Sequence, residues 1–327
     1  MKFIVNHFPY VTFNDFDLHE CEKAILTDDI VKPVAQPSRL HLSMLKLTAK
    51  ILGLFKINHI RSTPYALLNN PLSDSNHLFT LMIGPDFKKY LPFSYFVSCN
   101  RSIYMFDAWP CHHDTIILFL LKNKIDHLFL TSLQATATLK KQLTNTNVHW
   151  IPEAIDPDGY LYSDIKTIDV LSFGRKYDRY HNLILPFFEK NNKVYLFEKI
   201  KGEVIFEKRS DFINALGNSK ISICFPSNIT HPDRAGDIEI MTMRYLQSIV
   251  SKCLIIGKAP EEMIQLFGYN PVIEINWNDP VNQLENILND FEDYKYLIEK
   301  NYTTVINNHT WMHRWDVIKK SFIKNIN

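Results

Sequence analysis

Two short stretches carry residue types that bind and move charged groups. The first, SFGRKYDRYHN (172–182), sets Arg175 and Lys176 directly after Gly174, where an apolar run ends. A guanidinium fork beside an ammonium suits a diphosphate, and the same pair also reads as a solvated basic turn. The second, FPSNITHPDRAGDIEIMTMRYLQ (225–247), gathers Thr230, His231, Arg234, Gly236, Asp237 and Glu239 ahead of Thr242, Arg244 and Gln247. The pattern predicts a helix opening at 237, whose free N–H groups and positive dipole end attract anions. Asp237 then doubles as a natural N-cap. Glu239 and Gln247 stand two turns apart and so share nearly one face, a spacing that a solvated charged face shows too.

A third stretch, MFDAWPCHHD (105–114), holds Asp107 at an expected strand end. Its carboxylate fits a general base, with Trp109 beside it as an aromatic face for stacking; an Asp before Trp-Pro also serves as a turn residue. Cys111, His112, His113 and Asp114 invite a metal reading. Four consecutive residues converge poorly on one ion, and a helix start accounts for them better. His7 and the turn Gly84-Pro85-Asp86 follow expected strands, where lone polar residues are usually structural.

These residues need a scaffold, and the hydropathy pattern supplies one. Strands are expected at 1–8, 77–84, within 95–110, at 126–132 and at 148–154, with helices at 39–57, 114–123 and 133–143 between them. AIDPDGYLYSDIKT (154–167) reads as a linker. The alternation then restarts, with strands at 167–174, 193–199, 220–227, 251–257 and 270–276. Helices are expected near 180–191, at 210–219, from 237, at 279–291 and over 309–323. Alternation of this kind gives two doubly wound α/β halves, and ligands of such sheets sit beyond the carboxyl ends of the strands. The loops after 174, 227 and 257 are therefore the places to look.

The bulk properties narrow the class. The 327 residues suit about two domains, and 46% apolar with 22% charged residues is ordinary globular composition. A net charge of +1 gives no basic excess for gripping nucleic acid. The longest apolar runs, such as TIILFLL (115–121), fall far short of the roughly 20 residues that cross a bilayer. The amino terminus lacks the apolar core of a secretion signal. Cys21, Cys99, Cys111, Cys224 and Cys253 are scattered and never spaced as CxxC, which fits a reducing cytoplasm. Only nine glycines occur and neither half opens with GxGxxG, so a dinucleotide-dependent oxidoreductase is disfavoured.

A Gly-Arg-Lys loop, an acid, a second polar residue eight later and a buried strand together resemble the carboxyl-terminal domain of GT-B glycosyltransferases. The CgeB-like branch, with its Arg-x-x-Glu-(Ala/Ser) segment, is similar to Arg244-Tyr-Leu-Gln247-Ser248; the E-x7-E families match at Glu239 and Gln247. WIPEAIDPDGY (150–160) resembles the interdomain strand and linker, and HTWMHRWDVI (309–318) the closing helix. The match covers about 150–320. It implies two Rossmann-like domains facing a cleft, with an acceptor domain at 1–153, a donor domain at 154–308 and a helix at 309–327 packing back on the first domain.

The resemblance also implies roles. Arg175 and Lys176 contact the donor diphosphate and stabilise the leaving nucleotide, Glu239 faces the donor sugar, and Gln247 replaces the acid that holds the ribose. Lys252 replaces a usual glycine. Gly174, Thr230, His231, Arg234, Gly236, Thr242 and Arg244 complete the donor site, with Asp107 as base. The implied enzyme is a cytoplasmic, bacterial, polysaccharide-building glycosyltransferase that uses no cofactor and no metal. It moves a sugar from a nucleotide diphosphate-sugar donor to a glycan or lipid-linked glycan and binds no nucleic acid. The lysine-bearing helix 39–57 reads by default as core packing, with peripheral contact to the inner face of the membrane as its functional alternative. The rivals are a nucleotide-sugar epimerase or hydrolase and a non-catalytic nucleotide-sugar-binding protein.

Overall fold

The computed structural model describes residues 2–5, 16–33, 43, 47, 51, 76–87, 100–123, 125–200 and 205–323. The chain divides into two compact units, Met1–Pro152 and Glu153–Asn327. Of the expected helix 39–57 only Ser43, Leu47 and Ile51 are described; the rest of it and His7 lie outside the described residues.

In the first unit β1 (Lys2–Val5), β2 (Val31–Pro33), β3 (Asn76–Ile83), β4 (Asn100–Phe106), β5 (His127–Leu130) and β6 (Asn147–Trp150) form one parallel sheet, ordered β2-β1-β3-β4-β5-β6. β4 is buried from Arg101 onward, as a central parallel strand covered on both faces must be. Helices Phe16–Ile25, His113–Lys122 and Leu133–Lys140 alternate with the strands. Ser132 starts the last of them by accepting a bond from the Ala135 N–H at 3.2 Å.

The second unit repeats the plan with β7 (Ile168–Ser172), β8 (Tyr195–Phe197), β9 (Ser219–Cys224), β10 (Leu254–Gly257) and β11 (Ile273–Glu274), ordered β11-β10-β9-β7-β8 and parallel throughout. Strand order reverses between β7 and β9, which makes that pair the topological switch point. Val170, Ile221, Ile223, Leu254 and Ile256 pack with Tyr180, Ile184, Phe187 and Phe188 of helix Asp178–Lys190 into the main core of this unit. Trp311 and Trp315 of the terminal helix Trp311–Ile323 are fully buried, and Ile155 bridges to Thr310 at its start. A helix at Lys295–Asn308 was not expected; its apolar positions Ile298 and Val305 are separated by the buried polar Asn301, which hides the period.

Several histidines are buried neutral. His127 Nδ1 lies 3.1 Å from His149 Nε2 on the neighbouring strand, and burial, then the second ring, push His127 down to about 4. His309, against Phe267 and the Arg314 guanidinium, is likewise pushed by burial and then by that charge to about 4. The folded state thus refuses protons that the unfolded chain accepts below about pH 6.5. Stability should be highest above that pH and fall as pH drops from 6.5 toward 4, by up to about 1.4 kcal/mol per pH unit for each group. Urea midpoints at pH 7 and pH 5 measure this; equal midpoints would contradict it.

Candidate active site at the carboxyl end of the second sheet

Three loops leave the carboxyl ends of β7, β9 and β10. After β7 the chain turns at Gly174, whose φ of +70° suits glycine, and presents the half-buried Arg175 and Lys176. Arg175 Nη1 donates to Ser227 Oγ at 2.7 Å. Ser227 is fully buried just after β9, so this bond spans the switch point. Lys176 turns another way: its ammonium lies 3.6 Å from Asp178 and 5.6 Å from the Phe197 ring centroid, toward β8. The two expected phosphate cations are therefore not equivalent.

The loop after β9 differs from expectation. Instead of one helix from 237, two single turns, Ser227–Thr230 and Pro232–Ala235, precede an irregular stretch, and the helix runs only over Met243–Val250. Carboxylates capture the backbone in and just after 237–242: Glu262 accepts the Met241 N–H at 2.7 Å and Glu153 the Met243 N–H at 2.6 Å. Asp237 is exposed and precedes the helix, whose N-cap position is not Asp237. The first N–H of the helix is already bonded to Glu153, which corrects the picture of an open helix end. Thr242 is the N-cap residue, with a buried hydroxyl that has no partner. Thr230 Oγ1 bonds back to Pro226 O at 3.4 Å, His231 is half-buried, and Arg234 and Gly236 are exposed, Gly236 with φ +54°.

Glu239 consequently does not share a helix face with Gln247. Its Oε1 accepts Lys258 Nζ at 2.5 Å and Asn228 Nδ2 at 3.1 Å, and its Oε2 faces the Glu261 N–H at 3.3 Å. Burial raises the carboxyl, but the Lys258 and Asn228 bonds outweigh it and hold Glu239 below the usual carboxylate range. Gln247 is buried, and its Nε2 donates to Tyr160 OH at 3.1 Å, which Arg209 also reaches at 2.9 Å. Lys252, where the resembled family has glycine, adopts φ +52°; Glu299 at 2.7 Å and the Tyr162 and Tyr302 rings hold its ammonium.

Ser227, Asn228 and Lys258 contact the candidate site residues, Glu153 bonds the helix that carries Arg244 and Gln247, and none of them was singled out by the sequence. Lys258 had a readable signal, since it follows Gly257 at a strand end just as Arg175 follows Gly174. Ser227 had none, because a serine after Pro is common and its partner lies 52 positions away.

In the first unit Asp107 follows β4 with φ +55°, a conformation uncommon outside glycine, and its carbonyl accepts the Trp109 N–H at 2.8 Å. Trp109 is completely buried and offers no face to a sugar, a correction that follows from its packing as core. Cys111 is exposed, His113 Nε2 lies 3.1 Å from Ala108 O, and these residues open helix His113–Lys122. Gly84 turns with φ +58° and Asp86 bonds back to its carbonyl at 3.0 Å. Two Asp-x-Asp triplets occur, at 15–17 and 156–158. Asp15 lies outside the described residues, and Asp156 accepts the Asp158 N–H in a 3₁₀ turn. Among the described residues no three His, Cys, Asp or Glu side chains could hold a metal ion, and no helix is long and apolar enough to cross a membrane.

No protein-family model matches the sequence, and no curated protein matches it. Solved structures do. A glycosyltransferase from Rickettsia africae ESF-5 aligns over 100% of this chain and 99% of its own with a TM-score of 0.53 at 12% identity. The E. coli trehalose-6-phosphate protein bound with UDP-2-fluoro glucose aligns over 98% of both chains at TM-score 0.55 and 9% identity. TarM aligns over 84% of this chain at TM-score 0.53 and 12% identity, and the chain spans only 57% of TarM's length. The fold of this chain is that of the GT-B glycosyltransferases.

Proposed function

We propose that this protein is a glycosyltransferase that moves a sugar from a nucleotide diphosphate-sugar to a hydroxyl of a glycan or lipid-linked glycan without a metal. The observation that carries this reading is Arg175 at the β7–β9 switch point, fixed on Ser227 with its charge at the strand ends. Departure of the nucleoside diphosphate leaves negative charge there, and a fixed guanidinium stabilises it without reorganising. Lys258, braced by Glu239, adds a second cation from the loop after β10. In this reading Glu239 stays ionised and organises the donor end. Asp107 takes the acceptor proton, from a backbone conformation of the kind that collects at functional positions. The CgeB-like affinity rests on the segment Arg244–Ser248. The UDP-sugar held by the E. coli relative supports a nucleotide-sugar donor.

Product analysis tests the assignment. Each of UDP-, GDP- and dTDP-hexose is incubated with and without a bacterial lipid-linked glycan extract, and free nucleoside diphosphate and labelled glycan are measured. Release of nucleotide that depends on the extract, with label in the glycan, is the expected result. Release without acceptor would identify a hydrolase, an altered hexose still on its nucleotide an epimerase, and binding without turnover a non-catalytic binder.

A further inference from the structure

Where β7 and β9 part at the switch point their ladder has ended, its last pair being Leu171 opposite Ser222. One buried side chain ties the two loops beyond it. Arg244, on the first turn of helix Met243–Val250, donates from Nη1 to Arg175 O at 3.2 Å and, more weakly, to Phe173 O at 3.5 Å. Its Nη2 donates to Phe225 O at 3.1 Å. Two of these carbonyls belong to the loop after β7 and one to the loop after β9. The arginine is itself fixed, for Ser248 Oγ lies 2.8 Å from Arg244 O and 2.7 Å from Ser222 Oγ on β9. Gly174 crosses directly above it: a Cβ there would stand 2.9 Å from Arg244 Cδ.

We propose that Arg244 is a positioning residue, which acts on the donor through Arg175 rather than by touching it. The inference rests on the proposed function, since it assumes that Arg175 meets the diphosphate. Resemblance places Arg244 among the donor contacts, but all three of its hydrogen bonds go to carbonyls. The fork holds the Arg175 backbone while Ser227 bonds its guanidinium, so both ends of that side chain are tied to the switch point. Lysine at this position keeps the charge but cannot span both loops from a planar fork.

A double-mutant cycle separates the two roles, because residues acting through one another give non-additive effects. Affinity for UDP, and for inorganic pyrophosphate as the minimal probe, is measured on the full chain with Arg244→Lys, Arg175→Ala and both. The expected result is a loss of about tenfold from Arg244→Lys alone and less than twofold when Arg175 is already alanine. Equal losses in both backgrounds would show that Arg244 contacts the anion itself, and no loss in a folded Arg244→Lys protein would show that it does nothing; either overturns the inference. Ser248→Ala, which removes the hydroxyl that holds the Arg244 carbonyl against β9 and leaves the loop after β7 untouched, gives the second reading should Arg244→Lys not fold, with the same dependence on Arg175 expected. If the unaltered protein binds neither UDP, GDP, dTDP nor pyrophosphate, the proposed function fails and this inference fails with it.

Discussion

Replacing Gly257 by alanine is expected to lower the melting temperature of the second unit by roughly 10 °C. A Cβ on Gly257 would lie 1.9 Å from Cys224 O and 2.8 Å from Cys224 C, so backbone must move. The residue also sits at φ +147°, where side chains are rarely accommodated. Overpacking costs about 1–3 kcal/mol and a strained backbone about as much again. Together these make roughly 2–6 kcal/mol, and each kcal/mol shifts a domain of this size by about 2–4 °C. The close approach has a purpose, since it draws the loop after β10 against the loop after β9. Lys258 N–H then reaches Cys224 O at 3.1 Å and its ammonium reaches Glu239. Gly159, with nothing within 4 Å of an added Cβ, supplies the control. Thermal melts of Gly257→Ala and Gly159→Ala that coincide would show that the strand ends are not this close.

Arg175→Ala is expected to lower kcat/KM for the nucleotide-sugar by about 10²- to 10³-fold, the usual consequence of deleting one fixed donor to a developing anion. Stability should fall by about 1–3 kcal/mol, because the fully buried Ser227 hydroxyl loses a hydrogen-bond partner. Lys176→Ala should cost less than tenfold, since its ammonium is directed toward Asp178 and Phe197. Steady-state kinetics on both variants, with melting temperatures alongside, measure this contrast. Equal losses for the two would mean that Arg175 has no special place at the switch point.

Much of the scaffold was legible in the sequence. Parallel strands buried on both faces read as apolar runs, and ISIC and LIIG fall where expected within β9 and β10. The restart after 167 located β7 and, with it, Gly174 and Arg175. The segment 237–242 misled because Asp237 and Glu239 stand just ahead of the apolar helical run Met243–Val250 and so read as its acidic first turn. Tertiary partners override that tendency: Glu153 and Glu262 each take a backbone N–H that a helix would have used otherwise. Both acids are distant in sequence, so no local pattern reports them. Trp109 shows a similar limit, since an aromatic beside Pro looks the same whether it faces solvent or core. Lys252 shows the reverse, for the glycine implied there by resemblance anticipated the left-handed backbone that the lysine adopts.

Calorimetric titration of UDP, GDP, dTDP and inorganic pyrophosphate into the unaltered protein and Arg175→Ala puts the pyrophosphate site to its most direct test. One nucleoside diphosphate should bind, compete with pyrophosphate for a single site, weaken as salt is raised, and lose at least about tenfold in affinity in the variant. Unchanged affinity in a folded Arg175→Ala protein, or no binding of any of the four ligands, would contradict it.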